Sequence, residues 1–222
     1  MPMDRTDALD RVATVLDRVE DERMPVPVRE VWVYGDVALG LDPIERLDVY
    51  VTKDLLLGGD REGADGTAER FERSHGVKGV GRSVAADWAE AFPEYLRATD
   101  AGYAAPERCL AAHLLDGAGD DPVHLEVCNA SFDDNVTQRL KGAMAREAYG
   151  QILDPRGVCL WVDGTRSEDA MAKLRGGDLV FPTLPEALGM LGMDEAEAET
   201  AAETLRAARD GQEGTSVRGD VV

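Results

Sequence analysis

Residues 31–51 read VWVYGDVALGLDPIERLDVYV, and this stretch decides the fold of the chain. It contains an apolar strand that ends at Gly35, a turn of small residues, and a second strand that carries Asp48. In the second strand, apolar residues alternate with Asp48 and Tyr50. Because alternate residues of a strand point to opposite faces, the pattern predicts a half-buried strand with Asp48 and Tyr50 on the same face.

Other segments predict a chain of mixed helices and strands. Asp4, Ser131, Thr165, Thr183 and Asp194 stand where residues that cap a helix are expected. The predicted strands are 30–34, 46–52, 123–128 and 158–162, and the predicted helices are 4–21, 67–74, 83–98, 106–116, 131–149, 165–174 and 184–209, the last divided at Gly192.

These elements predict the α+β class, with a mixed β-sheet and helices packed mainly on one face. We expect a nucleotidyltransferase-like domain over residues 1–162 and a helical extension over 163–210 that packs on it. An acidic, glycine-rich loop is expected at 58–66, and a disordered tail at 211–222.

The composition is strongly acidic: 44 acids against 24 bases give a net charge of −20, and lysine is rare among the bases. Such a surface resembles that of haloarchaeal proteins, whose cytoplasm is molar in salt. At that salt concentration the Debye length falls to about 3 Å, so the repulsion is screened. The sequence therefore predicts a halophilic protein. The chain has neither a signal-like N-terminus nor an apolar run long enough to cross a membrane, so we expect a cytoplasmic protein with no membrane partner.

The stretch 31–51 resembles the DNA polymerase β-like nucleotidyltransferase superfamily, particularly its small minimal members. The shared pattern is an apolar residue, glycine, and glycine or serine, followed by a spacer and then by Asp–apolar–Asp/Glu on a strand. Gly35 and Asp48 match this pattern, and Ala38 and Gly40 stand where small members have Ala-x-Gly. The resemblance places a third carboxylate on a later strand, where Glu126 lies in Val-His-Leu-Glu-Val.

The resemblance implies a nucleotide site, with Asp48 and Glu126 as catalytic carboxylates that hold Mg²⁺. Gly35, Asp36 and Gly40 would lie beside the triphosphate. Two positions depart from the pattern: Asp36 replaces a serine or glycine, and Tyr50 replaces the second carboxylate. Asp36 places a negative charge against the phosphates, and the phenol of Tyr50 is a poor metal ligand. We therefore expect that catalysis is weakened or lost and that binding of a nucleotide or nucleic acid is retained.

Two other groups of residues could bind ligands. Cys109 and His113 are four apart on a predicted helix, and His124 and Cys128 are four apart on a strand, so a Cys₂His₂ zinc site is an alternative to four core residues. Residues 76–83, GVKGVGRS, precede a predicted helix and could receive a phosphate, but they lack a complete phosphate-binding motif and a simple turn is the commoner explanation.

A second function is open from the sequence. The chain could be a non-enzymatic interaction or regulatory module of a halophile, without a small-molecule site. In that case Asp48 and Glu126 would be surface acids. Adjacent strands that bring Asp48 and Glu126 to one cleft are required by the first function and not by the second.

Overall fold

The computed structural model describes residues 2–20, 24–53, 84–85, 103–115, 121–210 and 214–219. The strands are β1 (Val28–Tyr34), β2 (Leu47–Lys53), β3 (Val84–Ala85), β4 (Tyr103–Ala104), β5 (Val123–Cys128), β6 (Gly157–Val162), β7 (Thr165–Arg166) and β8 (Ser216–Gly219). Six of them form one mixed sheet in the order β7-β6-β1-β2-β5-β8, and β3 pairs with β4 separately. The expected α+β class and mixed sheet are confirmed.

The helices are α1 (Arg5–Val19), α2 (Pro106–Leu114), α3 (Phe132–Arg146), α4 (Glu168–Gly176), α5 (Leu184–Met190) and α6 (Glu195–Asp210), with a 3₁₀ turn at Tyr149–Gln151. The predicted caps at Asp4, Ser131 and Thr183 are confirmed, because each side chain accepts a backbone N–H of the first turn. Helix α4 is capped by Ser167 and not by Thr165, which pairs in β7 instead. Within the described residues, no helix is long and apolar enough to cross a membrane.

The sheet order follows from how the strands pair. β1 runs antiparallel to both β2 and β6, so residues 31–51 form the predicted pair of strands joined by a turn. β5 lies parallel to β2, and β8 lies parallel to β5 at the edge of the sheet. The neighbouring strands β2 and β5 therefore come from distant parts of the chain and lie side by side.

One face of the sheet is apolar and carries the main core. Valine and leucine side chains of β1, β2, β5 and β6 pack there against α1, α2 and α4. Helix α1 contributes Leu9, Val12, Leu16 and Val19, the face that its spacing predicts, and all four are buried. Each such side chain contributes roughly 1.5–3 kcal/mol when it is fully buried.

The opposite face is partly polar and is covered by the C-terminal half of the chain. Phe132 and Val136 of α3 pack over the aromatic side chains of this face. Helices α5 and α6 pack on α3 and on the residues around the 3₁₀ turn through a second apolar cluster. The end of α6 thereby reaches the polar part of the sheet.

Two sequence expectations need correction. Residues 216–219 of the expected disordered tail form β8, because the open edge of β5 supplies backbone partners and Val217 enters the core. Residues 84–85 form β3 and do not begin a helix. The rest of the predicted helix 83–98, the predicted helix 67–74 and the whole of segments 58–66 and 76–83 lie outside the described residues.

Candidate functional site

Asp48 and Glu126 lie on neighbouring strands and project from the same face of the sheet. In the parallel pairing of β2 with β5, Asp48 stands opposite His124 and Tyr50 stands opposite Glu126. Residues paired across a parallel ladder point to the same side, so Asp48 and Glu126 are diagonal neighbours. Their exposed fractions are 0% and 3%. Asp48 and Glu126 therefore have the arrangement that the nucleotidyltransferase resemblance requires, with adjacent strands and one shared face of the sheet.

Asp48 is held by two arginines. Arg46 Nε and Nη2 donate to Asp48 Oδ1 over 2.8 Å and 2.6 Å. Arg209, at the end of α6, donates from Nη2 to Asp48 Oδ2 over 2.6 Å. Both carboxylate oxygens thus accept charge-assisted hydrogen bonds, which satisfies a buried negative charge.

The departure at Asp36 is explained by the same arginine. Arg209 Nη2 also donates to Asp36 Oδ1 over 3.2 Å, so one guanidinium bridges Asp36 and Asp48. The other oxygen of Asp36 accepts the backbone N–H of Glu45. Burial alone would lower the pKa of Arg209, but Asp48 and Asp36 raise it above its usual value, so the side chain stays charged.

Gly35 has the conformation and the close contacts that require glycine. Its φ of +67° lies in the left-handed region. A Cβ at this position would overlap the Arg209 guanidinium and would lie 2.7 Å from Asp48 Oδ2. The close approach that the resemblance assigns to a triphosphate is made here by a side chain of the protein. Gly40, by contrast, lies at the exposed end of the turn with φ +75° and open space around it.

Tyr50, the second departure, is a packing residue. Its exposed fraction is 0%, and its ring makes an edge-on contact with Phe132 at a centroid distance of 5.3 Å. The hydroxyl donates to Ala130 O over 2.8 Å and accepts from Asn135 Nδ2 over 3.0 Å. Position 50 therefore joins β2 to the start of α3 and does not face a metal.

Glu126 is also paired. Arg139 Nη1 of α3 donates to Glu126 Oε2 over 2.5 Å, and His124 Nε2 lies 3.2 Å from Oε1. Burial alone would raise the pKa of Glu126, but the His124 hydrogen bond and the Arg139 charge lower it to about 2. The carboxylate is therefore ionised at neutral pH.

The edge strand β8 adds groups that sequence reasoning missed. Ser216 Oγ is hydrogen-bonded to His124 Nδ1 at 2.7 Å, so a continuous chain links Ser216, His124 and Glu126. Arg218, opposite Glu126 in the ladder, adds a further positive charge near that carboxylate. No local pattern marks these residues or Arg139 and Arg209, since each is an ordinary residue of a polar segment.

A cavity of about 250 Å³ opens beside these groups. We call it the arginine pocket, after the four arginines in its wall. Tyr34, His124 and Ser216 also line it, together with the carboxylates of Glu126 and Asp154. The four arginines are Arg46, Arg139, Arg209 and Arg218.

The residues present do not fit the magnesium ion that the resemblance implies. A metal ion at Asp48 and Glu126 would have to displace guanidinium groups from both carboxylates, and Tyr50 supplies no third ligand. No group of three or more His, Cys, Asp or Glu side chains within the described ranges could hold a metal ion. The cations next to these carboxylates are arginines.

The structure also separates the four residues of the expected zinc site. Cys109, on α2, is buried in the core on the apolar face of the sheet. His124 and Cys128 lie on the other face, where Cys128 packs near Phe132. The sheet stands between the two pairs, so Cys109 and His113 cannot share a metal ion with His124 and Cys128.

Comparisons with known proteins identify one family, and the function of that family is unknown. No curated protein and no solved structure matches the chain. The model of one protein family matches residues 4–222, nearly the whole sequence. The match includes both strands of the 31–51 stretch and β8. The chain belongs to the family of unknown function DUF7095.

Proposed function

We propose that this protein is a nucleotidyltransferase-like protein without transferase activity, which binds a nucleotide by its phosphate in the arginine pocket. One observation carries the proposal. Asp48 and Glu126 lie on neighbouring strands and on one face of the sheet, as the resemblance requires, but each is paired with guanidinium groups that also line an open cavity.

The chemistry of the pocket suits a phosphate. A guanidinium offers a planar fork of N–H donors that matches the oxygens of a phosphate or carboxylate. Four arginines converge on this cavity in a protein whose net charge is −20. At molar salt the remaining acidic surface is screened beyond a few ångströms, so the direct contacts in the pocket decide which ions bind.

The same ion pairs support the proposal that the protein does not transfer nucleotides. The resemblance implies a reaction in which carboxylates hold the metal that activates the attacking hydroxyl. Here Arg46 and Arg209 saturate Asp48, and Tyr50 is committed to packing. Asp48 and Glu126, the two described carboxylates that the resemblance assigns to the metal, are both occupied by arginines, whereas the cavity beside them can still receive an anion.

The second candidate is the non-enzymatic interaction module without a small-molecule site. It is favoured by the ion pairs themselves, because Asp36, Asp48 and Glu126 are all satisfied without a ligand. In that case the arginines stabilise the junction of α3, α6 and the sheet, and the cavity holds only water.

Thermal unfolding with and without nucleotides, at a fixed molar salt concentration, separates the two. A ligand of the folded state present at 100 times its Kd stabilises by about 2.7 kcal/mol and raises the midpoint. We expect AMP to raise it without added Mg²⁺. With ATP and Mg²⁺, we expect no transfer of AMP and no release of pyrophosphate. No shift with any nucleotide would favour the interaction module.

Arg218→Gln tests whether the shift arises in the arginine pocket. Arg218 is exposed and forms no ion pair with another described residue, so its loss leaves the fold intact. We expect roughly 10-fold weaker binding from the loss of one charge-assisted hydrogen bond. Arg175→Gln is the matched control, since Arg175 is half-exposed and pairs with Asp10 on the other side of the sheet. Equal losses in both variants would contradict a site in the pocket.

A further inference from the structure

We infer that the arginine pocket selects a phosphate monoester, with one phosphate group joined to an organic part, and binds it without a divalent cation. The inference rests on the proposed function and narrows it. It is carried by three properties of the pocket: its charge balance, its volume and the mixed character of its wall.

The charge balance fits a single phosphate. The pocket and its ion-pair partners contain five guanidinium groups and four carboxylates, which leaves one positive charge in excess. A phosphate monoester carries a charge of about −1.5 to −2 at neutral pH, so its binding leaves a net charge of only about −0.5 to −1 in the pocket. A triphosphate would leave several negative charges next to buried carboxylates. The five are Arg46, Arg139, Arg156, Arg209 and Arg218, and the four are Asp36, Asp48, Glu126 and Asp154.

The space beside Gly35 is closed to a longer phosphate chain. Arg209 lies against Gly35 and is fixed between Asp36 and Asp48. A triphosphate that extended toward Gly35 would have to displace this arginine and expose a fully buried Asp48. The cavity itself, at about 250 Å³, is smaller than the range of roughly 300–1,000 Å³ that holds most small-molecule ligands.

The hydrogen-bonding groups of β8 lie at one side of the pocket. Arg218 and Ser216 are two apart on β8 and therefore face the same side of the strand, next to His124. The Arg218 guanidinium, which forms no ion pair with another described residue, can donate to the oxygens of one phosphate, and the Ser216 hydroxyl, bonded to His124, lies on the same side of the strand. The phosphate therefore belongs at the β8 side of the cavity, away from Asp48.

The rest of the wall points to an ester and not to free phosphate. Ile152, Leu153 and Leu205 line the cavity together with Tyr34. Burial, and then the charges of Glu126 and Asp48, raise the pKa of Tyr34 well above its usual value, so its phenol stays neutral. An inorganic phosphate would leave this apolar wall without a partner.

Isothermal titration of the 222-residue chain at a fixed molar concentration of potassium acetate tests the inference. The probes are AMP, ATP, ATP with Mg²⁺, and inorganic phosphate. We expect AMP to bind at least 10-fold more tightly than ATP or inorganic phosphate, and Mg²⁺ to leave the AMP affinity unchanged. Arg218→Gln should remove most of the preference for AMP over ATP, and Arg175→Gln should retain it.

The outcomes separate this inference from the proposed function. If ATP binds more tightly than AMP, or only with Mg²⁺, the monoester inference is overturned and the nucleotide proposal stands. If inorganic phosphate equals AMP, the organic part is not recognised and the inference is again overturned. If none of the probes binds, both proposals fail.

Discussion

Asp36 and Tyr50 show how single residues can change the meaning of a motif. In the sequence they are departures from the nucleotidyltransferase pattern. In the structure Asp36 shares Arg209 with Asp48, and Tyr50 anchors the start of α3 through its ring and hydroxyl. Each change belongs to a set of contacts, so neither is reversed by replacing one side chain.

Tyr50→Asp should therefore destabilise the protein and should not create a metal site. A carboxylate at this fully buried position would lose its solvation among Phe132, Val136 and Leu153. We expect a loss of about 3–5 kcal/mol, the range for an unpaired buried charge. Chemical unfolding at molar salt measures it, with Tyr50→Phe as the control that removes only the hydroxyl contacts, at about 1–2 kcal/mol. A Tyr50→Asp protein as stable as the Phe variant would contradict this assignment.

The lowered pKa of Glu126 predicts that this residue makes a pH-dependent contribution to the stability of the fold. Its folded pKa of about 2 lies below the usual 4.5, so its contribution is complete above pH 4.5 and is lost as the pH falls toward 2. The shift corresponds to roughly 3 kcal/mol. The stability difference between the natural protein and Glu126→Gln should therefore be largest near pH 7 and should shrink below pH 4.5.

Unfolding by guanidinium chloride at several pH values measures this difference. Glu203→Gln is the control, because Glu203 is exposed on α6 and its removal should change stability little at any pH. A Glu126→Gln difference that stays constant down to pH 2.5 would show that Arg139 and His124 do not hold the ionised carboxylate.

At the scale of the elements, the C-terminal part of the chain completes the site. Helix α3 supplies Arg139, the end of α6 supplies Arg209, and β8 supplies Ser216 and Arg218. The strands β2 and β5 hold the carboxylates. Arg46 and Arg139 belong to the predicted domain, but Arg209 comes from the predicted extension and Arg218 from the predicted tail. The helical extension is therefore part of the candidate site.

Removal of residues 211–222 should destabilise the fold and abolish binding in the pocket. The deletion exposes the edge of β5, removes the buried Val217, and breaks the Ser216 contact with His124. We expect a loss of about 3 kcal/mol from apolar burial and hydrogen bonds together. Removal of residues 220–222 alone retains β8 and is the control. Identical thermal midpoints for both truncated chains would indicate that β8 adds no stability, as expected if residues 211–222 were a disordered tail.

At the scale of the whole molecule, the main physical feature is the large negative net charge. The net charge of −20 is spread over 222 residues, whereas the arginine pocket collects a local positive excess. Buried pairs such as Arg46 with Asp48 and Lys53 with Glu107 are shielded from salt. The acids on the surface are not, so the stability of the compact state depends on the solvent.

We expect the protein to lose stability when KCl falls from molar to about 0.1 M, where the Debye length grows to about 10 Å. A loss of ~3 kcal/mol would lower the thermal midpoint by roughly 10 °C for a chain of this size. Scans across a KCl series measure it. Sucrose in 0.1 M KCl is the control, because it should not replace the lost screening. An unchanged midpoint across the series would contradict the halophilic assignment.

The sequence by itself determined the elements whose signals are local. Alternation in residues 46–52 and 123–128 predicted β2 and β5 closely, and capping residues located the starts of α1, α3 and α5. These signals are readable because they depend on neighbours within a few residues. They also gave the shared face of Asp48 and Tyr50, since the side-chain period of a strand is fixed.

Only the tertiary structure decided which groups the side chains on that face of the sheet contact. Strand β8 has four residues and no apolar alternation, and it forms because β5 offers an open edge. Arg209 contacts Asp48 across 161 positions of sequence, and Arg139 meets Glu126 because α3 crosses the sheet at that point. A carboxylate on a strand can hold a metal ion or an arginine. The choice depends on which cation the rest of the chain brings within about 3 Å, and no local pattern records that distance.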